Sequence, residues 1–423
     1  MTISLMNAFE RQKKIYLEGA SGTVSPIPVD ARLLEIKAQK AMSPQAAAYI
    51  AGGAGHGDTM LENRRAFERW RILPRMLRDV STRDVSITLF GKQYPYPLLL
   101  APIGVLEMVH READLAVAKA AAAIGIPYIF SNQASVSMEE CAAVMGEQPR
   151  WFQLYWSKSD ELVASFVQRA EQSGCEAIVV TLDTTLLGWR TQDLELAYLP
   201  FLRGLGIAQY TSDPVFRRLL NEPDPTPAPT PKFTYDALRT LWSAVRQYPG
   251  SFLENAKSGY PRKAVKKFID IYTRPSLTWE NLAYLRQRTR LPILLKGILH
   301  PDDALRALDH GIDGLVISNH GGRQVDGAVG TLDMLPRISE VIQGRIPLLL
   351  DSGVRGGADI FKALALGASA VCLGRPYVYG LTLGGSEGIQ QVLANYLADF
   401  DLTMALAGCR SINEIGPESV LKT

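Results

Sequence analysis

Gly314-Leu315-Val316-Ile317-Ser318-Asn319-His320-Gly321-Gly322-Arg323-Gln324 starts as an apolar run and ends as a polar turn. The apolar residues follow one another without alternation, which marks a strand buried on both faces, as in a parallel sheet covered by helices. The residues after them bring a hydroxyl, an imidazole and a guanidinium to the strand's end, around two glycines that let the chain turn. Working outward, the same design recurs at residues 97–101, 127–130, 151–155, 177–182, 292–295, 347–350 and 370–373. Most of these runs are entered through Pro or Gly, and stretches of helical period at 113–124, 160–173, 301–309, 331–342 and 358–366 lie between or after them.

Strands alternating with helical patterns of this length build βαβ units. The eight runs predict an α/β protein of the closed (β/α)8 TIM-barrel type. An open, doubly wound sheet is the alternative, because periodicity does not prove closure. One domain is expected over 1–423, with the barrel at 97–423 and a helical extension at 1–96 that includes helices at 31–41 and 46–50. Residues 184–276, after the fourth run, form a connection far longer than the roughly 2–6 residues usual in α/β units. It is helical at 235–246 and 262–272, and Pro-rich and extended at 222–231. Such a connection on the C-terminal face of a barrel is expected to serve as a lid.

Composition removes several functions. The 45 basic and 43 acidic residues nearly cancel, and no basic, aromatic-laced segment marks a nucleic-acid surface. The four cysteines are far apart, so reduced buried thiols are expected rather than a disulfide framework or a metal site. No signal-peptide pattern opens the chain and no apolar run is long enough for a membrane span. A soluble, cytoplasmic protein is the expectation.

Barrel enzymes carry their chemistry where strands end. Here Gln153 and Tyr155 belong to the third run, Thr181 and Asp183 to the fourth, and Lys296 to the fifth. Ser318 and His320 end the sixth, Asp351 and Gly353 the seventh, Gly374 and Arg375 the eighth. His320 is the candidate base, since imidazole exchanges protons near neutral pH; a histidine bonded into the core is the plain alternative. Arg323 lies across the Gly321-Gly322 turn from it, and a guanidinium fork is the natural partner of a carboxylate. Arg190, after the fourth run, is a second candidate for that role, against the reading of a solvated loop arginine. Residues 351–357 and 373–376 are Gly-rich, precede helical stretches and carry arginines, which is how barrels cradle a phosphate.

The Ser318–Gln324 motif resembles that of the FMN-dependent α-hydroxy acid dehydrogenase/oxidase family, and the likeness runs from residues 49–54 to 374–376. The resemblance implies FMN as cofactor. Pro102, Ile103 and Gly104 would lie along the flavin, Ser131, Gln153 and Thr181 would contact its ring, and Lys296 and Ser318 would flank it. Asp351, Gly353, Arg355, Gly374 and Arg375 would hold the phosphate tail. Tyr49, Tyr155, Arg190 and Arg323 would bind the substrate, His320 would take a proton, and Asp183 would stabilise the imidazolium. Within the family the chain resembles the lactate 2-monooxygenase branch most, through 101–105, 187–190, 200–204, 211–216 and the long connection. That implies a homo-oligomer, tetrameric or octameric, oxidising an (S)-2-hydroxy acid such as L-lactate with oxygen and decarboxylating it. Release of the keto acid, as by an oxidase or dehydrogenase, is the alternative; a flavin-free phosphate-binding isomerase or lyase is a remoter one. Gln133 stands where relatives carry an apolar or aromatic residue, which opens the substrate to a larger or more polar side chain. Gly104, lacking a Cβ, is expected to leave room for the keto acid.

Overall fold

The computed structural model describes residues 8–222 and 234–423. All eight apolar runs are strands: β1 (Leu98–Leu100), β2 (Tyr128–Phe130), β3 (Arg150–Leu154), β4 (Ile178–Thr181), β5 (Ile293–Ile298), β6 (Gly314–Ile317), β7 (Leu348–Leu350) and β8 (Ala370–Leu373). Neighbours pair in parallel around the ring, and β8 returns to β1 through Val371 opposite Leu98, so the sheet is a closed barrel rather than an open one.

The strands lack alternation because they face two cores. Leu99, Ile129, Trp151, Val179, Leu294, Val316, Leu349 and Cys372 fill the barrel interior. Their chain neighbours, such as Leu98, Leu100, Phe130, Phe152 and Leu295, pack under the helices instead. The interior is plugged at its N-terminal end by an antiparallel hairpin, Ile87–Leu89 with Lys92–Tyr94. Ile87, Leu89 and Tyr94 join the interior cluster, and Phe90 lies 5.8 Å from Trp151, centroid to centroid. With that end sealed, polar chemistry is confined to the opposite rim.

Helices lie where the pattern placed them: Ala113–Ile124, Asp160–Gln172, Pro301–Asp309, Thr331–Ile342 and Gly357–Ala365. Met138–Met145 is a further helix, started by a capping box in which Ser137 and Glu140 satisfy each other's backbone N–H. In the N-terminal extension, Ser43 caps Pro44–Ala51 through the Ala46 N–H, and that helix delivers Tyr49 to the rim.

Between β4 and β5 the connection carries, among others, helices Thr191–Glu195, Tyr235–Gln247 and Tyr260–Ile271. It has an aromatic core of its own, in which Phe268 stacks on Tyr272 at 4.8 Å and meets Tyr210 edge-on at 4.8 Å. Phe166 of the Asp160–Gln172 helix meets Tyr210 at 5.0 Å, tying this core to the barrel. The Pro-rich stretch, residues 223–231, lies outside the described residues. Among the described residues, no helix is long and apolar enough to cross a membrane.

Trp151 is the largest fully buried side chain among the described residues and packs in the barrel interior against Phe90 of the plug. Trp151→Ala should cost about 3–5 kcal/mol, as aromatic truncations in cores do. Urea unfolding measures this; an unmoved midpoint would mean that the plug does not depend on it.

Candidate active site

One cavity opens at the C-terminal rim, with about 1030 Å³ between its walls out to the mouth. Its wall draws on strand ends all round the barrel, on Tyr49 from the N-terminal extension, and on Leu187, Arg190, Phe201 and Tyr272 from the long connection. Of the residues singled out from sequence, Pro102, Ile103, Gly104, Ser131, Gln153, Tyr155, Lys296, His320, Arg323, Asp351, Gly353, Arg355, Gly374 and Arg375 also line it. Asp183, Thr181 and Ser318 do not. Each stands behind a lining residue and holds it.

His320 has φ +58°, a left-handed conformation that is uncommon for a side chain other than glycine. Gly321 and Gly322 continue it at φ +66° and +75°, and a Cβ on Gly321 would come 2.8 Å from the Arg375 guanidinium. The turn is pinned by Ser318 Oγ, which accepts the His320 N–H at 3.1 Å, and by Ser352 Oγ, which accepts the Gly321 N–H at 2.9 Å. It swings the imidazole so that Nδ1 lies 2.8 Å from Asp183 Oδ1, with Thr184 Oγ1 at 3.3 Å. A carboxylate there fixes the tautomer with hydrogen on Nδ1 and leaves Nε2 as the free, basic nitrogen. Burial pulls the His320 pKa down, and the Asp183 charge only partly offsets it. Burial opposes the ionisation of Asp183 too, but His320 and Lys296 outweigh it and hold that carboxyl below its usual range.

Lys296 is buried, 2.8 Å from Ser318 Oγ and 3.0 Å from Asp351 Oδ2. Burial disfavours its charge, yet Asp351 and Asp183 raise its pKa overall, so it is a fixed cation in the floor. Gln153 is held by Thr181 Oγ1 at 3.0 Å and accepts the Asn132 N–H at 3.0 Å.

Arg190 and Arg323 converge on one ring. Their guanidinium carbons lie 6.0 and 4.8 Å from the centre of Tyr49. Arg323 also donates to the Tyr49 carbonyl, and Arg190 to the Arg323 carbonyl at 3.3 Å and to Gln324 Oε1 at 3.2 Å. Neither forms an ion pair among the described residues. Burial, and then the Arg190 charge, push the Arg323 pKa down to about 9. Asp193 acts on both charges from a distance without an ion pair to either, so the two guanidinium groups form a ready seat for a carboxylate.

Gln324 was quoted in the sequence motif without a role. Its Nε2 donates to the carbonyls of Asp183 at 2.7 Å and Leu186 at 2.9 Å, while Oε1 accepts from the Gly188 N–H at 3.3 Å as well as from Arg190. One amide thus ties the loop after β4 to the turn after β6. Phe201 and Tyr272 were not singled out either; they reach the cavity from the aromatic core of the connection, which no local spacing signals.

Three expectations need correction. Asp351 does not face a phosphate: its carboxylate is taken by Lys296 and by the Ser352 hydroxyl at 2.7 Å. The helix after β7 has donors at its start spent on carboxylates of the chain, with Arg355 N bonded to Asp359 of the same helix and Gly357 N to Asp399 of the segment after β8. The helix Arg375–Leu406 after β8 has no side-chain cap, and Arg375 donates only to the carbonyls of Ile50, Gly52 and Gly321, each at 2.9 Å, apart from a loose contact with the Met60 sulfur. The better anion cradle is therefore the one after β8. Finally, the space beside Gly104 is not free for a keto acid. A Cβ there would come 2.9 Å from both the Cβ and the carbonyl oxygen of Gln133.

Comparison with known proteins bears on this site. The pattern of the FMN-dependent dehydrogenase family matches residues 38–422. An L-lactate oxidase from Lysinibacillus sphaericus is 42% identical over 374 residues, covering 88% of this chain and 88% of its own. An FMN-dependent alpha-hydroxy acid dehydrogenase from Penicillium citrinum is 42% identical over 402 residues, covering 95% and 92%. A crystal structure of a mandelate oxidase with (S)-4-hydroxymandelic acid superposes with a TM-score of 0.75 at 35% identity, over 91% of this chain and 97% of that one.

The electrostatics make a prediction about protonation. NMR titration of His320 should give a pKa below the ordinary ~6.5, so the ring is neutral and basic at pH 7. Asp183 favours the charged ring, so Asp183→Asn should lower this pKa further; a rise would refute the assigned role of Asp183.

Proposed function

The chain belongs to the FMN-dependent dehydrogenase family, and we propose that it oxidises an (S)-2-hydroxy acid at its α-carbon with oxygen as acceptor. The observation that carries this reading is His320, backed by Asp183, in one cavity with Arg190 and Arg323, neither of which is ion-paired among the described residues. A flavin-free isomerase or lyase falls away with membership of the family.

The residues present fit FMN. The buried Lys296 suits the electron-rich side of the ring system, and Pro102, Ile103, Gly104, Ser131 and Gln153 line the same cavity and would contact the ring. Arg375, Gly374, Gly353 and Arg355 suit the phosphate, and the uncapped helix after β8 with Arg375's lack of a carboxylate partner supports that fit. Bound there, FMN supplies the two-electron acceptor.

The remaining work belongs to the chain. Arg190 and Arg323 grip the substrate carboxylate, Tyr49 closes the clamp, and Tyr155 holds the hydroxyl. His320 Nε2 takes the proton that leaves the substrate, and Asp183 steadies the resulting imidazolium. The connection walls the mouth with Leu187, Phe201 and Tyr272, which excludes water and slows product escape. Product retained this long supports the decarboxylating outcome, with lactate and oxygen giving acetate, carbon dioxide and water. The assembly in this reading is a homo-oligomer.

Product analysis after aerobic turnover with L-lactate and other 2-hydroxy acids is the test. Acetate and carbon dioxide fit the reading. Pyruvate with hydrogen peroxide would make the enzyme an oxidase, and turnover without oxygen use a dehydrogenase.

His320→Gln should slow oxidation by about 10²–10⁴, the range that general-base catalysis supplies, while FMN stays bound; near-normal rates would remove His320 from the chemistry. Arg323→Lys keeps the charge but loses the fork, so KM should rise and kcat fall together. If the methyl ester were oxidised as well as the free acid by the parent protein, the carboxylate clamp would be wrong.

A further inference from the structure

Gln133 is 8% exposed and lines the cavity, yet among the described residues its side-chain amide has no hydrogen-bond partner. Its backbone is held from several sides. The N–H donates to Ser131 Oγ at 3.1 Å, and the carbonyl accepts from Val105 N–H at 2.9 Å. The next residue, Ala134, accepts the Ala208 N–H at 3.1 Å, which pins the connection against the same loop. Gly104 has no Cβ, and this is what lets the loop lie so close. The amide is thus presented into the cavity from a rigid base.

An amide that lines a cavity without a protein partner is free to pair with a ligand there. Thr181 Oγ1 occupies the Gln153 amide, and four bonds occupy Gln324. The Gln133 amide alone of these three glutamines is left for a ligand. It can both donate and accept, and it carries no charge. Phe201 and Tyr272, with ring centres 5.9 Å apart, add an aromatic wall to the same cavity.

From this we infer that Gln133 is a specificity-determining residue that selects 2-hydroxy acids bearing a neutral hydrogen-bonding group, a hydroxyl or carboxamide, on an aryl or alkyl side chain. The inference rests on the 2-hydroxy acid reading and names its substrate class. A side-chain carboxylate is disfavoured, because Lys296 is already paired with Asp351 and the Arg190–Arg323 clamp is taken by the α-carboxylate. A purely hydrocarbon side chain leaves the amide unpaired, which is how a site rejects an analogue that lacks the matching group.

The test uses matched pairs that differ by one hydroxyl: mandelate against 4-hydroxymandelate, 3-phenyllactate against 3-(4-hydroxyphenyl)lactate, and 2-hydroxybutyrate against 2,4-dihydroxybutyrate. The FMN-loaded protein should favour the hydroxylated member of at least one pair by about tenfold or more in kcat/KM. Gln133→Leu, close in size but apolar, should abolish or reverse that preference. Calorimetric Kd values of the corresponding keto acids on the parent protein should show the same order, so the inference stays testable if the variant does not fold. Equal kcat/KM and equal Kd within every pair would overturn the inference alone. A preference that persists unchanged in Gln133→Leu would also overturn it. Failure to turn over or bind any 2-hydroxy acid would overturn the proposed function and this inference together.

Discussion

Positive charge without its counter-charge organises the site. Arg190, Arg323 and Arg375 all face the cavity, and the groups that hold them are a tyrosine ring, an amide, a thioether and backbone carbonyls. A charge removed from water costs several kcal/mol unless it is paired, and carbonyl dipoles return only part of that. Much of the surrounding structure consists of the means of keeping these cations in place. The Ser43-capped helix supplies Tyr49 and the Ile50 carbonyl, the left-handed turn after β6 supplies the Gly321 carbonyl, and Gln324 holds Arg190. Lys296 is the contrasting case. It is paired with Asp351 before any ligand arrives, so it acts as a permanent field rather than as a clamp.

Such an arrangement links stability to occupancy. A ligand that binds only the folded state at a hundred times its Kd adds about 2.7 kcal/mol of stability, and here two anions, a phosphate and a carboxylate, each neutralise part of the excess. The loop after β4 is tied to the β6 turn through Gln324 and Arg190 and through the Asp183 and Thr184 contacts with His320. Behind it lies an aromatic core in which Phe268, Tyr272, Phe201 and Tyr210 pack on one another.

The barrel was legible because each strand is specified locally: a run of apolar residues buried on both faces reads the same wherever its neighbours lie. The strand-end residues were legible for the same reason, since a polar residue just past a buried run has few places to go other than the rim. What could not be read are contacts between distant parts of the chain. Thr181 and Ser318 hold Gln153 and Lys296 by hydrogen bonds across neighbouring strands, which their places in the sequence do not show. Asp351 has the sequence setting of a phosphate loop, and only the distance from β5 to β7 shows that Lys296 claims it. The hairpin plug at 87–94 was missed because three-residue strands leave too short an alternation to detect.

Gly104 shows how a correct local reading can give a wrong consequence. The glycine does lie on the cavity wall, and the absence of a Cβ does matter there. The vacated volume, however, belongs to Gln133, whose Cβ and carbonyl would lie 2.9 Å from an added methyl. The small residue therefore acts on its neighbour's position rather than on the ligand directly. Enlarging it would displace the 131–134 loop, and that loop carries Ser131, Asn132 and the free amide of Gln133. Interiors packed this densely pass such a displacement on rather than absorbing it. A methyl added at residue 104 therefore acts on the cavity first through the position of Gln133, which lines it.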